Sequence, residues 1–443
     1  MSGWGRAGSV WTGDWRDGLR YGLMGLPLAF VALPLYVVLP NHYAREFGVP
    51  LATLGAVLLG ARLFDALIDP LIGRWCDRLF ARALTAVLAF AAIASVALAG
   101  GFALLFFPPT REPTALLVWA SALLVLTYAA YSAVSVAHQS WGAVLGNLGG
   151  GNDGQRSRVV AWREGLGLVG VVAASVTPVA LGLPATVALF WVTLGIGWLA
   201  WARAGRPAAA PTSHTHNSAA VSSWLPFRQP AFNRLLAVFM LNGIASAVPA
   251  TLVLFFIQDR LQAPKAMEPA FLGSYFLCAA LSIPLWLKLV ARIGLARSWL
   301  VGMALSIAVF VWATQLGAGD GTWFLLVCAL SGVALGTDLA LPGAMLAGVI
   351  ANAAPAPHGH SPAPVAGLYF GWWNFATKLN LALAAGLALP LLGLLGYTPG
   401  TTDPAALNVL VAAYCLLPCA LKLLAAAALY GFIIRNTPTG GTP

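Results

Sequence analysis

Apolar runs about as long as a bilayer is thick follow one another along the whole chain, and this repetition limits the fold more than any other feature of the sequence. A helix needs about 20 mostly apolar residues to cross the hydrocarbon core. Such runs lie near Leu19 to Leu39, Leu51 to Gly73, Leu84 to Phe107, Thr114 to Ala137, Trp162 to Leu181 and Ala185 to Trp201. Six more follow, near Ala231 to Ile257, Pro269 to Ala291, Ser298 to Leu316, Thr322 to Ile350, Val365 to Leu392 and Leu407 to Phe432. Between the two sets lies a hydrophilic stretch rich in Pro, Ala and Ser. The pattern predicts an all-α membrane protein of twelve transmembrane helices in two six-helix halves. The expected organisation is an amino-terminal bundle over 1–201, a cytoplasmic linker over 202–230 and a carboxy-terminal bundle over 231–443. Composition excludes a soluble enzyme, since 9% of the residues are charged against roughly a quarter in soluble domains.

Charge sets the expected orientation. The opening stretch Met1 to Arg20 is polar and tryptophan-rich, unlike a cleaved leader. Of the 24 Lys and Arg, three fall within spans (Arg62, Lys378, Lys422) and four in loops assigned to the outside (Arg45, Arg111, Arg260, Lys265), leaving 17 on the cytoplasmic side if both termini are inside. That is the positive-inside bias. The loop from Ala351 to Pro364 carries no basic residue, so the rule holds globally and not loop by loop. The net charge of +10 reflects topology and anionic lipid headgroups. Nucleic acid is not an expected partner, because the basic residues sit singly and form no patch with interleaved aromatics. Arginine in excess of lysine, with heavy Ala, Gly and Pro use, looks like a GC-rich bacterial genome.

The five cysteines, Cys76, Cys278, Cys328, Cys415 and Cys419, show no paired extracellular spacing, and no disulfide is expected. His214 and His216 form an H-x-H in the linker, and His358 and His360 lie in another polar loop. Neither pair brings the further ligands a specific metal site requires. They read as solvated loop residues, and no metal or cofactor is expected. No G-x-x-x-x-G-K-[ST] phosphate loop is present, which argues against a primary pump.

Chemistry concentrates in the second span. Asp65 and Asp69 are four residues apart and Arg62 precedes Asp65 by three, so all three share one helical face. Charges at membrane depth are costly and persist where they pair, line a wet cavity or conduct ions. Two carboxylates beside one guanidinium leave a net negative patch of hard oxygen ligands, suited to a monovalent cation, Na⁺ or H⁺. The bland reading, a structural Arg62 ion pair, leaves one acid unexplained.

Gly73, Asp77 and Arg78 stand in the segment Gly73-Arg-Trp-Cys-Asp77-Arg78, which resembles the G-x-x-x-D-R loop of the major facilitator superfamily, a topology anchor and cytoplasmic gate. A weaker echo, Lys288 to Gly294, follows the second span of the second half. The pattern A-R-x-x-D-x-x-x-D-P-x-x-G from Ala61 to Gly73 resembles the glycoside–pentoside–hexuronide cation symporter family, the melibiose permease type. Three further stretches agree: Tyr21-Gly22, Arg156 to Gly165 with its Arg163, and Gly367 to Lys378. The resemblance implies a major facilitator fold, a coupling cation on Asp65 and Asp69, and no cofactor. It also shows departures. Ala29 and Ala137 stand where the family carries acids for substrate and cation, and Gly348 and Ala351 stand at the end of the tenth span where acids tend to occur.

The fourth span offers a polar stripe in which Tyr128, Tyr131, Ser132, Ser135, His138 and Gln139 recur at helical steps. It reads either as a solute path or as interhelical hydrogen bonding. A lone histidine such as His138 is more often a satisfied bundle residue than a proton carrier. Lys378 lies deep in the eleventh span with Asn374 one turn before it. A buried ammonium needs an acid partner, and Asp65 and Asp69 are the natural candidates. Lys422 sits where its side chain could snorkel, and it reads as structural. Asp338 is the remaining intramembrane acid, readable as structural or functional. Trp372 and Trp373 divide between an interface role and stacking on a solute.

The expected function is secondary active transport of a small organic solute, such as a sugar or glycoside, with Na⁺ or H⁺ by alternating access in a bacterial inner membrane. Asp65 and Asp69 would hold the cation and Arg62 and Lys378 would tune it. Arg163, Tyr128, Ser132, Ser135, His138, Gln139, Trp373 and Asn374 would meet the solute. The partners are the solute, the cation and the lipid bilayer, and a monomer is expected. Rival readings are a lipid or lysolipid carrier or a proton-coupled exporter on the same fold. An intramembrane enzyme is disfavoured because the paired acids sit on one helix beside Arg62, which keeps them ionised.

Overall fold

A computed structural model describes residues 13–49, 51–147, 152–205, 222–352 and 365–435. His214, His216, His358 and His360 lie outside the described residues. The described chain is helical, with no strand among its residues. In a bilayer core every backbone polar group must be satisfied within the protein, which leaves helices as the economical way across.

The first expected span is broken into α1 (Trp15–Gly22), α2 (Gly25–Leu33), a wide turn Pro34–Val38 and α3 (Leu39–Glu46). Pro34 causes the change of pitch, since its ring removes a backbone donor and crowds the preceding turn. Next come α4 (Leu51–Arg82), α5 (Leu84–Phe106), α6 (Pro113–Gly146), α7 (Asp153–Ala180) and α8 (Gly182–Ala202). Helix α6 starts where it does because the Glu112 carboxylate accepts from Ala115 N and Thr114 N, with Pro113 as the first helical residue. Those amides, Ala115's first, hold the Glu112 carboxyl below its ordinary range. The later helices are α9 (Pro230–Phe255), α10 (Glu268–Ile293), α11 (Leu295–Ala313), α12 (Gly321–Ala351) and α13 (Ala366–Leu394). The last span is α14 (Pro404–Val411), a wide turn Ala412–Leu416 and α15 (Leu417–Leu429).

Among the described residues, nine of these stretches are long and apolar enough to cross a membrane. The other three expected spans are the broken first one, the charge-bearing α4 and α13. Consecutive helical segments thus form twelve stretches that correspond to the twelve apolar runs of the sequence. Large apolar side chains such as Ile93, Val96 and Leu281 are exposed, which suits lipid and not water. All five cysteines are free.

The chain divides into two compact units, Met1–Pro226 with Ala347–Phe375, and Phe227–Leu346 with Ala376–Pro443. The division differs from a simple cut at the linker: the end of α12 and the start of α13 group with the first unit. In that unit α2 crosses α7 at backbone distance. A Cβ on Gly170 would overlap the Leu26 carbonyl, so only glycine admits this approach. In the second unit the core is aromatic, with Phe256 stacked on Tyr414 at 4.2 Å and both packed near Phe324. Packing of this kind, together with interhelical hydrogen bonds, holds membrane bundles together, because lipid tails are as apolar as the side chains they would replace.

Candidate functional site

In the first unit, α4 places Asp65 and Asp69 one turn apart, and both are buried. Ser132 on α6 donates to Asp65 Oδ1 at 2.7 Å. Tyr128, one turn before Ser132, is also buried. Arg62, on the same helical face, is exposed. A carboxylate buried in a bilayer-spanning bundle needs such donors or a cation, since desolvating its charge costs several kcal/mol.

The stripe on α6 divides by direction. Ser132 serves α4, whereas Ser135 accepts from Gln139 Nε2 at 3.1 Å on the same helix. Gln139 Oε1 is buried without a hydrogen-bond partner among the described residues. His138 Nε2 donates to Tyr21 O at 2.9 Å and the Tyr21 hydroxyl returns a bond to His138 O at 3.1 Å. The two rings stack at 4.2 Å, and Trp201 meets the imidazole edge-on at 4.9 Å. Nε2 thus joins α6 to α1, while Nδ1 is buried with no hydrogen-bond partner among the described residues. Tyr21 thereby gains a structural reason for its position. Arg163, in the first half of α7, pairs with its neighbour Glu164 through two guanidinium nitrogens. Ala29 packs where its Cβ lies 3.4 Å from the position a Cβ on Gly167 would take, so the site of the absent acid is a small-residue helix contact.

At the far end of α4, Gly73 lies against Gly367 at the start of α13, and a Cβ on either would overlap the other's carbonyl oxygen. Asp77 accepts from Gly367 N at 2.6 Å and Leu368 N at 2.8 Å. Its carboxylate therefore caps the amino terminus of α13, where unpaired amides and the helix dipole favour an anion. Arg78 is exposed. Sequence reasoning missed the strap beside this cap. Ser223 Oγ accepts from Arg74 Nη1 and Ser223 O accepts from Trp372 Nε1, both at 2.8 Å. Trp224 packs against Trp372 with the rings tilted by 35° and their centroids 5.0 Å apart. Trp372 is thus engaged by the strap, whereas Trp373 is buried and Asn374 half-buried. Asn147 was also missed: it accepts from Arg156 Nε at 2.7 Å and donates to Ala347 O at 2.9 Å. The space a side chain would need at Gly348 is taken by the Arg156 guanidinium, 3.1 Å from a Cβ there.

The second unit holds a separate charged cluster. Lys422 does not snorkel. It is 5% exposed, and its Nζ donates to Asp338 Oδ2 at 3.0 Å and Asn242 Oδ1 at 2.9 Å. Lys378, half-buried on α13, belongs to this unit. Among the described residues no group of three or more His, Cys, Asp or Glu is arranged to hold a metal ion.

The pattern of MFS/sugar transport proteins matches residues 20–436. The chain belongs to that family. As a major facilitator transporter it is a multi-pass membrane protein and not an enzyme, and family members bind small-molecule solutes within the membrane. A Bacillus subtilis protein described as an uncharacterized symporter, YjmB, is 23% identical over 419 residues, spanning 90% of this chain and 88% of the relative. A bacterial homologue of the iron transporter ferroportin, solved in an outward-facing state, superposes with a TM-score of 0.70 at 16% identity, covering 95% of this chain and 99% of that one. The Escherichia coli fucose:proton symporter FucP gives 0.64 at 14% identity over 94% and 98% of the two chains. These likenesses establish the major facilitator fold of this transporter.

Proposed function

We propose that this transporter couples movement of a monovalent cation, Na⁺ or H⁺, to symport of a small organic solute, a sugar or glycoside, by alternating access. The observation that carries the reading is the buried pair Asp65 and Asp69, one turn apart on α4, with Ser132 donating to the first. A bilayer-spanning bundle retains two neighbouring acids where their charge has a task. The symporter description of YjmB and the sugar-transport family support the solute class. Tyr128, Ser135, Gln139, Trp373 and Asn374 remain proposed solute contacts, Gln139 most of all because its amide oxygen is buried with nothing donating to it. Arg163 is proposed beside them, oriented by Glu164. His138 joins them through its Nδ1, which is buried with no hydrogen-bond partner among the described residues, its Nε2 being held by Tyr21. Gly73 and Asp77 act as a latch on α13, opened and closed during the cycle.

The test is uptake into proteoliposomes of a panel of radiolabelled monosaccharides and glycosides, with and without an imposed Na⁺ or H⁺ gradient. Gradient-stimulated uptake by wild type, abolished in Asp69→Asn while solute counterflow persists, is the expected result. Uptake indifferent to either gradient, or stimulation undiminished in Asp69→Asn, removes the coupling.

A further inference from the structure

Apart from the α4 acids, the largest investment of buried charge lies in the second unit. Asp338 on α12 receives four donors: Asn242 Nδ2 at 2.9 Å and Trp299 Nε1 at 2.9 Å on Oδ1, and Ser246 Oγ at 3.1 Å and Lys422 Nζ at 3.0 Å on Oδ2. They come from α9, α11 and α15, so one carboxylate gathers four helices. A buried ion pair seldom stabilises a fold better than apolar side chains of the same volume would. Stability alone is therefore a poor reason for keeping it. The pair also does not close off its surroundings. Asp338, Lys422 and Ser246 stand at one side of a cavity of about 90 Å³, room for roughly six waters or one small ring at about one water per 10–15 Å³. Most of the remaining wall is apolar, including Phe271, Phe310 and Pro249. Ser331 also lines it, and its buried Oγ has no hydrogen-bond partner among the described residues.

These features select by charge. Each Asp338 oxygen already accepts two hydrogen bonds, and the Lys422 charge is matched by that carboxylate, so the cluster is net neutral and has no spare counter-charge. An anion or a cation entering an apolar cavity beside it would lose hydration with no ion to replace it. A neutral group fares differently. An ammonium has three N–H donors, two of which Lys422 spends on Asp338 and Asn242. With the Ser331 hydroxyl it can serve an alcohol or carbonyl oxygen. We infer that this cavity is a second ligand site, separate from the α4 acids, which takes an uncharged, ring-sized compound with a hydroxyl or carbonyl oxygen at one end and an apolar body.

Two native cysteines, Cys328 and Cys419, line the same cavity and supply the readout. The full-length protein in lipid nanodiscs is alkylated with a small membrane-permeable maleimide and the modified positions are quantified by mass spectrometry. The probes are benzyl alcohol, toluene, benzoate and benzylammonium, four compounds of one size that differ in charge and hydrogen bonding. Benzyl alcohol is expected to slow modification of Cys328 and Cys419 saturably, with Cys278 on the same unit as the internal control for general effects on the bilayer. Benzoate and benzylammonium should give no protection. In Ser331→Ala the half-protecting concentration of benzyl alcohol should rise about fivefold, the worth of one hydrogen bond, while that of toluene stays unchanged. Equal protection by the charged probes overturns the inference. So does a Ser331→Ala protein that binds benzyl alcohol as wild type does, or a wild type in which neither cysteine reacts or neither is protected. The outcome is independent of cation-coupled uptake, so either reading can fail alone.

Discussion

Ser132 Oγ lies 2.7 Å from Asp65 Oδ1 and donates to it, joining α6 to the charged face of α4. This bond makes one hydroxyl of a broad polar stripe distinct from its neighbours. If Asp65 holds a coupling cation, Ser132 orients the oxygen that does so. Ser132→Ala should raise the half-saturating cation concentration for uptake by roughly three- to fivefold, as expected from about 1 kcal/mol for a hydrogen bond between membrane helices. Ser132→Thr should restore it. A cation titration unchanged in the alanine variant separates this bond from cation binding.

The α6 stripe also predicts water access. Ser132, Ser135 and Leu124 are all buried in this conformation, but only the two serines share the polar face. In a background with native cysteines replaced, cysteines at Ser132 and Ser135 should react with a small hydrophilic thiol reagent when solute or cation changes the conformation, and a cysteine at Leu124 should not. Equal protection of all three positions throughout would mean that the stripe packs in dry protein.

The Asp77 cap on α13 can be tested at the amides it holds. Asp77→Asn keeps the shape and one acceptor but loses the charge that suits a helix amino terminus, a difference of about 1 kcal/mol. Exchange of the Gly367 and Leu368 amides with deuterium should then quicken by about fivefold. Protection equal to wild type would assign these amides to other partners.

Contact between Gly73 and Gly367 leaves no room for a methyl group on either. Gly73→Ala must push α4 and the start of α13 apart, and overpacking of this kind costs about 1–3 kcal/mol. Solute uptake should fall while the protein still inserts and folds, as judged by monodispersity in detergent. A fully active Gly73→Ala would show that the two helices need not touch this closely during transport.

The charged cluster of the second unit makes a non-additive prediction. Lys422→Met strands the Asp338 carboxylate and Asp338→Asn strands the ammonium, each at about 3–5 kcal/mol. The double variant strands neither charge. Its thermal unfolding midpoint should lie well above that implied by summing the two single losses. Strict additivity would mean that the two groups act independently despite their 3.0 Å separation.

The helices were legible in the sequence because a bilayer imposes one rule on every span, and runs such as Leu84 to Phe106 obey it with few charges to confuse the reading. The pairing of polar side chains was less so. Asp65, Asp69 and Asp77 announced themselves by charge and motif, whereas Ser223 sits in a polar linker that looks featureless until its two hydrogen bonds are seen. His138 shows the opposite difficulty. Its place on the stripe follows from helical spacing, but spacing gives a direction about the axis and not the neighbour met there, and that neighbour is Tyr21, 117 residues away. The direction taken by the Lys422 side chain was hidden for a related reason. Its depth along the last span allows a long side chain to reach the interface, and only the arrival of Asp338 from α12 and Asn242 from α9 makes the interior the better place for its charge.

The neutrality of the Lys422–Asp338 pair bears on electrical behaviour. A single charge crossing the membrane field gains or loses about 2.3 kcal/mol for every 100 mV. An ammonium and a carboxylate that stay 3.0 Å apart move through that field as a small dipole, and their contributions cancel. Any dependence of turnover on membrane potential therefore has its source outside this pair, and substitution of both Lys422 and Asp338 leaves it untouched.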